Sequence, residues 1–519
     1  MEQEKTAAGN RWVVDIRMQP PSLADNTGDA DRLKKALAAE LGADTVTADL
    51  CLLKQLPEKL RQWDYACRCV VFRTSGRWQL IAVLAPGSRQ PAAGIAVDLG
   101  TSRVVLRLLD LASGEVLAEA AFDNPQTAIG ADILARIHHA ETADGAEELH
   151  NRIIEGLNEQ IARMCGDAEM DPDSVYLMAV AGNTTMSHLF LGLSPRYIIR
   201  EPYIPAANVP GAVRADELGL CVHDCARVFV FPNAGSYFGG DLISGAYSAG
   251  FHENEEIAIL VDVGTNAEVL LGNRDWLVAC AGAAGPALEG GVSEIGMTAG
   301  PGVIDTVQID ADSGEFDIRT IEGQPPKGVC GSGMIDLAAQ LFISGMLDIR
   351  GRLVPEACGN RLKEADGMRH LVIVFGGDSA TGRDLTISQA DIDSLIRSKA
   401  AMYTILETIT MYVGISFEDI STFYVAGTFG SFIKPRSAIS IGMIPDLPEQ
   451  TYCPLGNSSL KGAVCLLRSR SAVADIESIR DRITYLELNV NQDFMNRFSA
   501  AKFLPHTDAG RFPTVIRAV

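Results

Sequence analysis

The chain has 519 residues, 47% of them hydrophobic, which is enough for large buried cores and too long for one ordinary domain of roughly 150 residues. A formal charge of −22 argues against nucleic acid or an anionic membrane as the main partner. The polar start Met1-Glu2-Gln3-Glu4-Lys5 has no apolar stretch behind it, and no apolar run reaches transmembrane length, so a cytoplasmic protein with no membrane partner is expected.

Residues 1–90 read as a small α+β domain. Val13 to Met18 alternates like a strand, and Pro20 to Asn26 is a turn. Leu33, Leu37 and Leu41 put one apolar face on a helix from Ala30 to Leu41. Ala66 to Val71 and Trp78 to Leu84 close the domain as a strand pair, and Pro86 to Pro91 is a linker. Three strands follow at 94–98, 103–110 and 116–122, then helix over 129–164 with a break near 142–145. Strand Val175 to Val180 leads to a helix starting near Asn183, and 195–230 is rich in proline and turns. Helix 240–250 precedes a second strand set at 257–281. A long helix at 389–413 leads to strand Thr422 to Val425 and the loop Ala426-Gly427-Thr428-Phe429-Gly430.

One motif occurs twice. Ile95-Ala96-Val97-Asp98-Leu99-Gly100-Thr101-Ser102 is answered by Ile259-Leu260-Val261-Asp262-Val263-Gly264-Thr265-Asn266. Each is an apolar strand, an aspartate, a glycine turn and a second strand. Glycine allows close backbone approach to a phosphate, and the N–H groups and hydroxyls that follow can donate to its oxygens. An aspartate just before the turn suits Mg²⁺, which takes about one or two carboxylates plus phosphate oxygens. A single copy is a weak signal; two copies point to a duplicated α/β domain with ATP and Mg²⁺ as ligands.

Asp241, after Phe238-Gly239-Gly240, either caps a helix or orients an attacking water. Gly427, Thr428, Phe429 and Gly430 suit backbone contacts to base and ribose, or a tight turn. Ala281 to Gly291 suits either a ligand or tight packing. Cys330 reads as a packed thiol, His138 and His139 as solvated, and Met186 and His188 as packed in a helix. The 11 cysteines show neither C-x4-C-x2-C nor paired C-x-x-C spacing, so free thiols and no iron–sulfur cluster within the chain are expected. A cluster shared across a dimer stays open.

The order of the Asp98 turn, Gly240 helix, Asp262 turn and Gly427 loop resembles the acetate kinase, sugar kinase, heat-shock protein and actin superfamily. There these are the first phosphate, first connecting, second phosphate and adenosine motifs, and Pro454 to Ala463 looks like the second connecting helix. The fold implied is α/β: duplicated actin-like, ribonuclease H-like halves around a nucleotide cleft, plus the small N-terminal α+β domain. The halves would span 91–256 and 257–519. The resemblance assigns Asp98, Asp241 and Asp262 to catalysis, Asp98 and Asp262 also to the metal. It assigns Gly100, Thr101, Ser102, Gly264, Thr265, Asn266, Gly427, Thr428, Phe429 and Gly430 to the nucleotide.

Further segments narrow the family: Pro21 to Asn26, Ala181-Gly182-Asn183-Thr184-Thr185-Met186, Gly328 to Gly333, Ile387 to Ile392 and Gly456 to Leu460. Together they resemble the ATP-dependent reductive activators of corrinoid proteins. The resemblance implies an ATPase that returns a methyltransferase corrinoid protein from Co(II) to Co(I), as a homodimer. Typical members carry an N-terminal two-iron ferredoxin-like domain. This chain starts where that domain would end, so a separate low-potential donor such as a ferredoxin is expected. A small-molecule kinase on the same fold and an ATP-gated chaperone or cofactor-loading protein are the alternatives.

Overall fold

The computed structural model describes residues 10–74, 76–88, 90–264, 267–282, 293–310, 313–365, 367–427, 434–488 and 492–516. The chain forms two units: Met1–His252 with Ser458–Ile483, and Glu253–Asn457 with Thr484–Val519. Among the described residues no helix is long and apolar enough to cross a membrane.

The first unit begins with a four-stranded sheet ordered Val13–Arg17, Ala66–Thr74, Arg77–Leu84, Val46–Ala48. Helix Asp29–Leu41 turns Leu33 and Leu37 into its core and ends at Gly42, whose φ of 60° few side chains tolerate. The larger sheet runs Val116–Asp123, Arg103–Asp110, Ala93–Leu99, Val175–Gly182, Arg227–Val230, Ala212–Arg214. The helical stretch breaks into Ile133–His139 and Ala143–Asp167, the second capped by Thr142, whose hydroxyl accepts from Gly145 N. Leu149, Ile153, Leu157, Ile161 and Met164 recur at helical spacing and are buried in the core of this sheet. Strand Arg227–Val230 lies inside the stretch read as rich in proline and turns. All four residues are buried, and a run this short shows no alternation.

The small and larger sheets of this unit meet through aromatic rings and charge. Trp12 packs on Phe72 at 4.9 Å between ring centres, and Phe72 on Phe229 at 6.2 Å. Asp49 pairs with the buried Arg227, whose Nε also donates to Gln79 Oε1. Cys51 and Cys225 are joined in a disulfide, which corrects the expectation of free thiols throughout. They lie 174 positions apart, a pairing no local spacing announces. Helix Ser458–Arg468 returns to this unit and packs on Ala93–Leu99, Val175–Gly182 and helix Gly240–Ser248. Trp12 Nε1 donates to Leu466 O at 2.8 Å, tying the first strand to this late helix.

The second unit is built on a six-stranded sheet that begins at its edge with Ile483–Tyr485, and its other five strands run Leu277–Gly282, Ala267–Gly272, Ala258–Val263, Thr422–Ala426, Tyr452–Gly456. This repeats the first five of the larger sheet in the first unit. In each, three antiparallel strands are followed by two parallel ones. The duplication read from the sequence therefore extends to strand order. Helix Gln389–Val413 opens with a capping box between Ser388 and Asp391 and ends at Gly414 in the left-handed region. Its Lys399 is fully buried and donates to the carbonyls of Phe503 and Pro505, each at 2.6 Å. Two three-stranded sheets complete the unit: Phe316–Thr320, Val303–Ile309, Gly328–Val329, and Leu362–Ala365, Met368–Val374, Leu385–Ser388.

Candidate nucleotide site

In the first unit, strand Ala93–Leu99 delivers Asp98, half-buried, to the mouth of a tight turn. A Cβ on Gly100 would lie 2.3 Å from Arg103 O, so only glycine lets the chain fold back here. Asp98 Oδ1 accepts the Ser459 hydroxyl at 2.8 Å, and Ser459 O accepts the Ser244 hydroxyl at 2.7 Å. The carboxylate is thereby held from both crossing helices, Ser458–Arg468 and Gly240–Ser248.

Asn183 caps helix Thr184–Phe190 with its Oδ1 on Met186 N and turns its Nδ2 to Thr101 Oγ1 at 3.1 Å. Gly239 sits hard against it. A Cβ there would fall 2.5 Å from Asn183 Cα and 2.6 Å from Asp241 Oδ1. Asp241 is in the first turn of its helix and accepts from Leu242 N, while Gly239 occupies the N-cap position. The structure thus brings Asp98, Thr101, Asn183, Asp241 and Ser459 together, with Ser102 exposed at the turn.

The second unit repeats the arrangement. Asp262 ends the strand Ala258–Val263 and pairs in parallel register with Ala426, as Asp98 pairs with Ala181. Gly427 follows at φ +82°, and a Cβ there would meet Asp262 Oδ1 at 2.7 Å. Gly264 is exposed at the turn. Thr265, Asn266, Thr428, Phe429 and Gly430 lie outside the described residues, as does most of the Ala281 to Gly291 segment.

Sequence reasoning did not single out Asn183 or Ser459, although both lie in the family-like segments Ala181–Met186 and Gly456–Leu460. A usable signal existed for Asn183. Ala181-Gly182-Asn183 stands to the first aspartate as Ala426-Gly427-Thr428 stands to the second, so the repeat includes the neighbouring parallel strand.

The remaining candidates are structural. The buried Cys330 thiol donates to Ile304 O. Asp336, also buried, accepts from Val307 N, Lys434 Nζ and Ser437 Oγ. His138 and His139 are exposed beside Glu141 and Glu148. His188 is buried and neutral: its Nε2 accepts from Ala207 N, which leaves the proton on Nδ1 for Thr184 O. Burial holds its pKa below the ordinary value.

The residues fit Mg-ATP. Each half offers a half-buried carboxylate, an oxygen ligand for a hard cation, beside a glycine turn: Gly100, where a Cβ would meet Arg103 O, in the first half, and Gly427, where a Cβ would meet Asp262 Oδ1, in the second.

Residues 10–90 match the RACo linker region, 93–254 the RACo middle region, and 256–516 the C-terminal domain of RACo, the ASKHA domain. The corrinoid activation enzyme RamQ of Eubacterium limosum is 29% identical over 482 residues, 91% of this chain and 79% of that protein. A Co(II) methylated amine-specific corrinoid protein reductase of Methanosarcina barkeri is 25% identical over 436 residues, 78% of this chain and 75% of the relative. A solved reductive activator for corrinoid, iron–sulfur protein superposes with a TM-score of 0.84 at 36% identity, covering 99% of this chain and 84% of that one. With all three regions present in order and the ASKHA turn found in both halves, the chain belongs to the RACo family.

Proposed function

We propose that this protein is an ATPase that drives reductive reactivation of a corrinoid protein, from Co(II) to Co(I). The observation that carries the reading is likeness over the whole chain. The linker and middle regions follow a reductive activator as the ASKHA domain does, with 99% of the chain covered. An ATPase core alone would have left kinases and chaperones equally open.

In this reading Asp98 and Asp262 hold Mg²⁺ through their carboxylate oxygens. Gly100, Thr101 and Ser102, and in the other half Gly264, Thr265 and Asn266, donate to phosphate oxygens. Gly427, Thr428, Phe429 and Gly430 take the adenosine. Asn183 fixes the Thr101 hydroxyl, Ser459 fixes Asp98, and Asp241 orients the attacking water. ATP, when bound, supplies the free energy for an uphill one-electron step. For such a couple about 59 mV corresponds to a tenfold change in equilibrium. Moving a two-state protein from 1:99 to 99:1 takes about 5.5 kcal/mol of differential affinity, within the reach of nucleotide turnover. The cysteine spacing supports a separate low-potential iron–sulfur donor, such as a ferredoxin. The family likeness supports a homodimer.

The test is an anaerobic ATPase assay with a candidate corrinoid protein poised as Co(II), followed by its cobalt spectrum. With a low-potential donor present, ATP should bleach the Co(II) band, and Asp98→Asn should abolish the effect. ATP hydrolysis indifferent to the corrinoid protein, with cobalt unchanged, would refute the proposal.

A further inference from the structure

Three arginines are buried among the described residues: Arg32, Arg136 and Arg227. Two are neutralised, Arg32 by Asp25 and Arg227 by Asp49. Arg136 is wholly buried and forms no ion pair among the described residues. Its guanidinium donates only to neutral atoms: Nε to Gly130 O at 2.9 Å, Nη1 to Gln126 Oε1 at 3.1 Å and Met186 Sδ at 3.2 Å, Nη2 to Thr101 O at 2.7 Å. The acid that influences it is Asp132, the exposed N-cap of its own helix. Burial brings the guanidinium pKa down to about 10, which leaves it charged at neutral pH. A buried cation without a counter-charge is costly, so something must answer it.

Its position suggests what. The three carbonyls of the first turn are all tied back on one side. Gly100 O accepts Asn124 Nδ2 at 2.9 Å, Thr101 O accepts Arg136, and Ser102 O accepts Asn124 N at 2.8 Å. In a planar trans peptide the N–H points opposite to the C=O. These ties therefore turn the N–H groups of Thr101 and Ser102 away from Asn124 and Arg136. A cation on Thr101 O also polarises the Thr101–Ser102 peptide and makes Ser102 N–H a stronger donor.

We propose that Arg136 is a positioning residue for polyphosphate. Its charge is answered by the phosphates of the nucleotide on the far side of the Thr101–Ser102 peptide, so that the turn favours polyanions. The inference rests on Gly100–Ser102 being a phosphate turn.

The test uses the full chain, with Arg136→Gln and Arg136→Lys, and titrates ATP, inorganic tripolyphosphate and adenosine by calorimetry. For the glutamine variant ATP and tripolyphosphate affinity should fall by about 10- to 100-fold, the scale of one hydrogen bond to a charged group. Adenosine affinity should stay within about twofold, a split that general loosening of the fold would not produce. Arg136→Lys keeps a cationic side chain but not the guanidinium fork, so its loss of ATP and tripolyphosphate affinity should be smaller than that of the glutamine variant, with adenosine again within about twofold. If the glutamine variant fails to fold, the lysine variant decides: equal losses for ATP and adenosine would overturn the proposal. If wild type binds ATP and a folded Arg136→Gln binds it equally well, the inference fails and the phosphate turn stands. If wild type binds neither ATP nor tripolyphosphate, the phosphate-turn reading itself fails.

Discussion

Gly462 sits in the middle of helix Ser458–Arg468, where replacing glycine by alanine ordinarily gains about 1 kcal/mol of helix propensity. Here the sign should reverse. An alanine Cβ would lie 2.0 Å from Ser244 O and 2.3 Å from Ser244 Oγ, whereas ordinary contact starts near 3.4 Å. The two helices would have to part by about 1.4 Å, the difference between those distances. Overpacking of this kind costs about 1–3 kcal/mol. Parting also strains the Ser244–Ser459 hydrogen bond, which adds about 1 kcal/mol if it is lost. The net expectation is destabilisation by about 1–3 kcal/mol. For a unit of this size that lowers Tm by about 2–5 °C. Scanning calorimetry measures it, with Gly166→Ala as the matched control. Gly166 is helical with open space around its missing Cβ, so that variant should melt at or slightly above wild type. Because Ser459 also holds Asp98, Gly462→Ala should raise the KM for Mg-ATP as well. A Gly462→Ala protein as stable as wild type, with Gly166→Ala behaving as expected, would refute the close helix contact and the argument built on it.

Asp49→Ala leaves the buried Arg227 without its carboxylate and should cost about 3 kcal/mol, measured by urea unfolding. Little change would mean the pair is dispensable. Unreduced protein digested at low pH should release a linked Cys51–Cys225 peptide, and Cys51→Ser should lose both that peptide and about 2–4 kcal/mol of stability relative to the oxidised protein. His188, His223 and His506 all have pKa values lowered from 6.5, chiefly by burial. Below about pH 6.5 the unfolded chain binds protons that the folded one refuses, so stability should fall as pH drops from 6.5 toward 5 and stay level on their account above 7. A melting temperature that does not change between pH 7.5 and 5.5 would contradict this.

The fold was legible where chemistry recurred at a fixed place in a strand. Asp98 and Asp262 each follow three buried apolar residues and precede a glycine, and a repeated turn forces a repeated sheet. Arg227–Val230 was illegible because four buried residues carry no period. At the site, the residues of the turns could be named, but those that hold the turns could not. Ser459 reaches Asp98 across 361 positions and Asn183 reaches Thr101 across 82. Arg136 looks in sequence like any helix arginine, and only its burial beneath Thr101 distinguishes it. Cys51 and Cys225 likewise become a pair only once two sheets are packed.

The late return of Ser458–Ile483 to the first unit has a consequence for synthesis. Leu460, Ala463, Val464, Leu466 and Leu467 are buried in that unit, and Trp12 finds its indole acceptor on Leu466. Roughly 200 residues separate His252 from this helix, so at about 5–20 residues per second the ribosome takes about 10–40 s to deliver it. Over that interval the nascent sheet presents an apolar face to the crowded cell. The first unit made is therefore the one most in need of a chaperone, and a fragment ending at His252 would carry the same open face permanently.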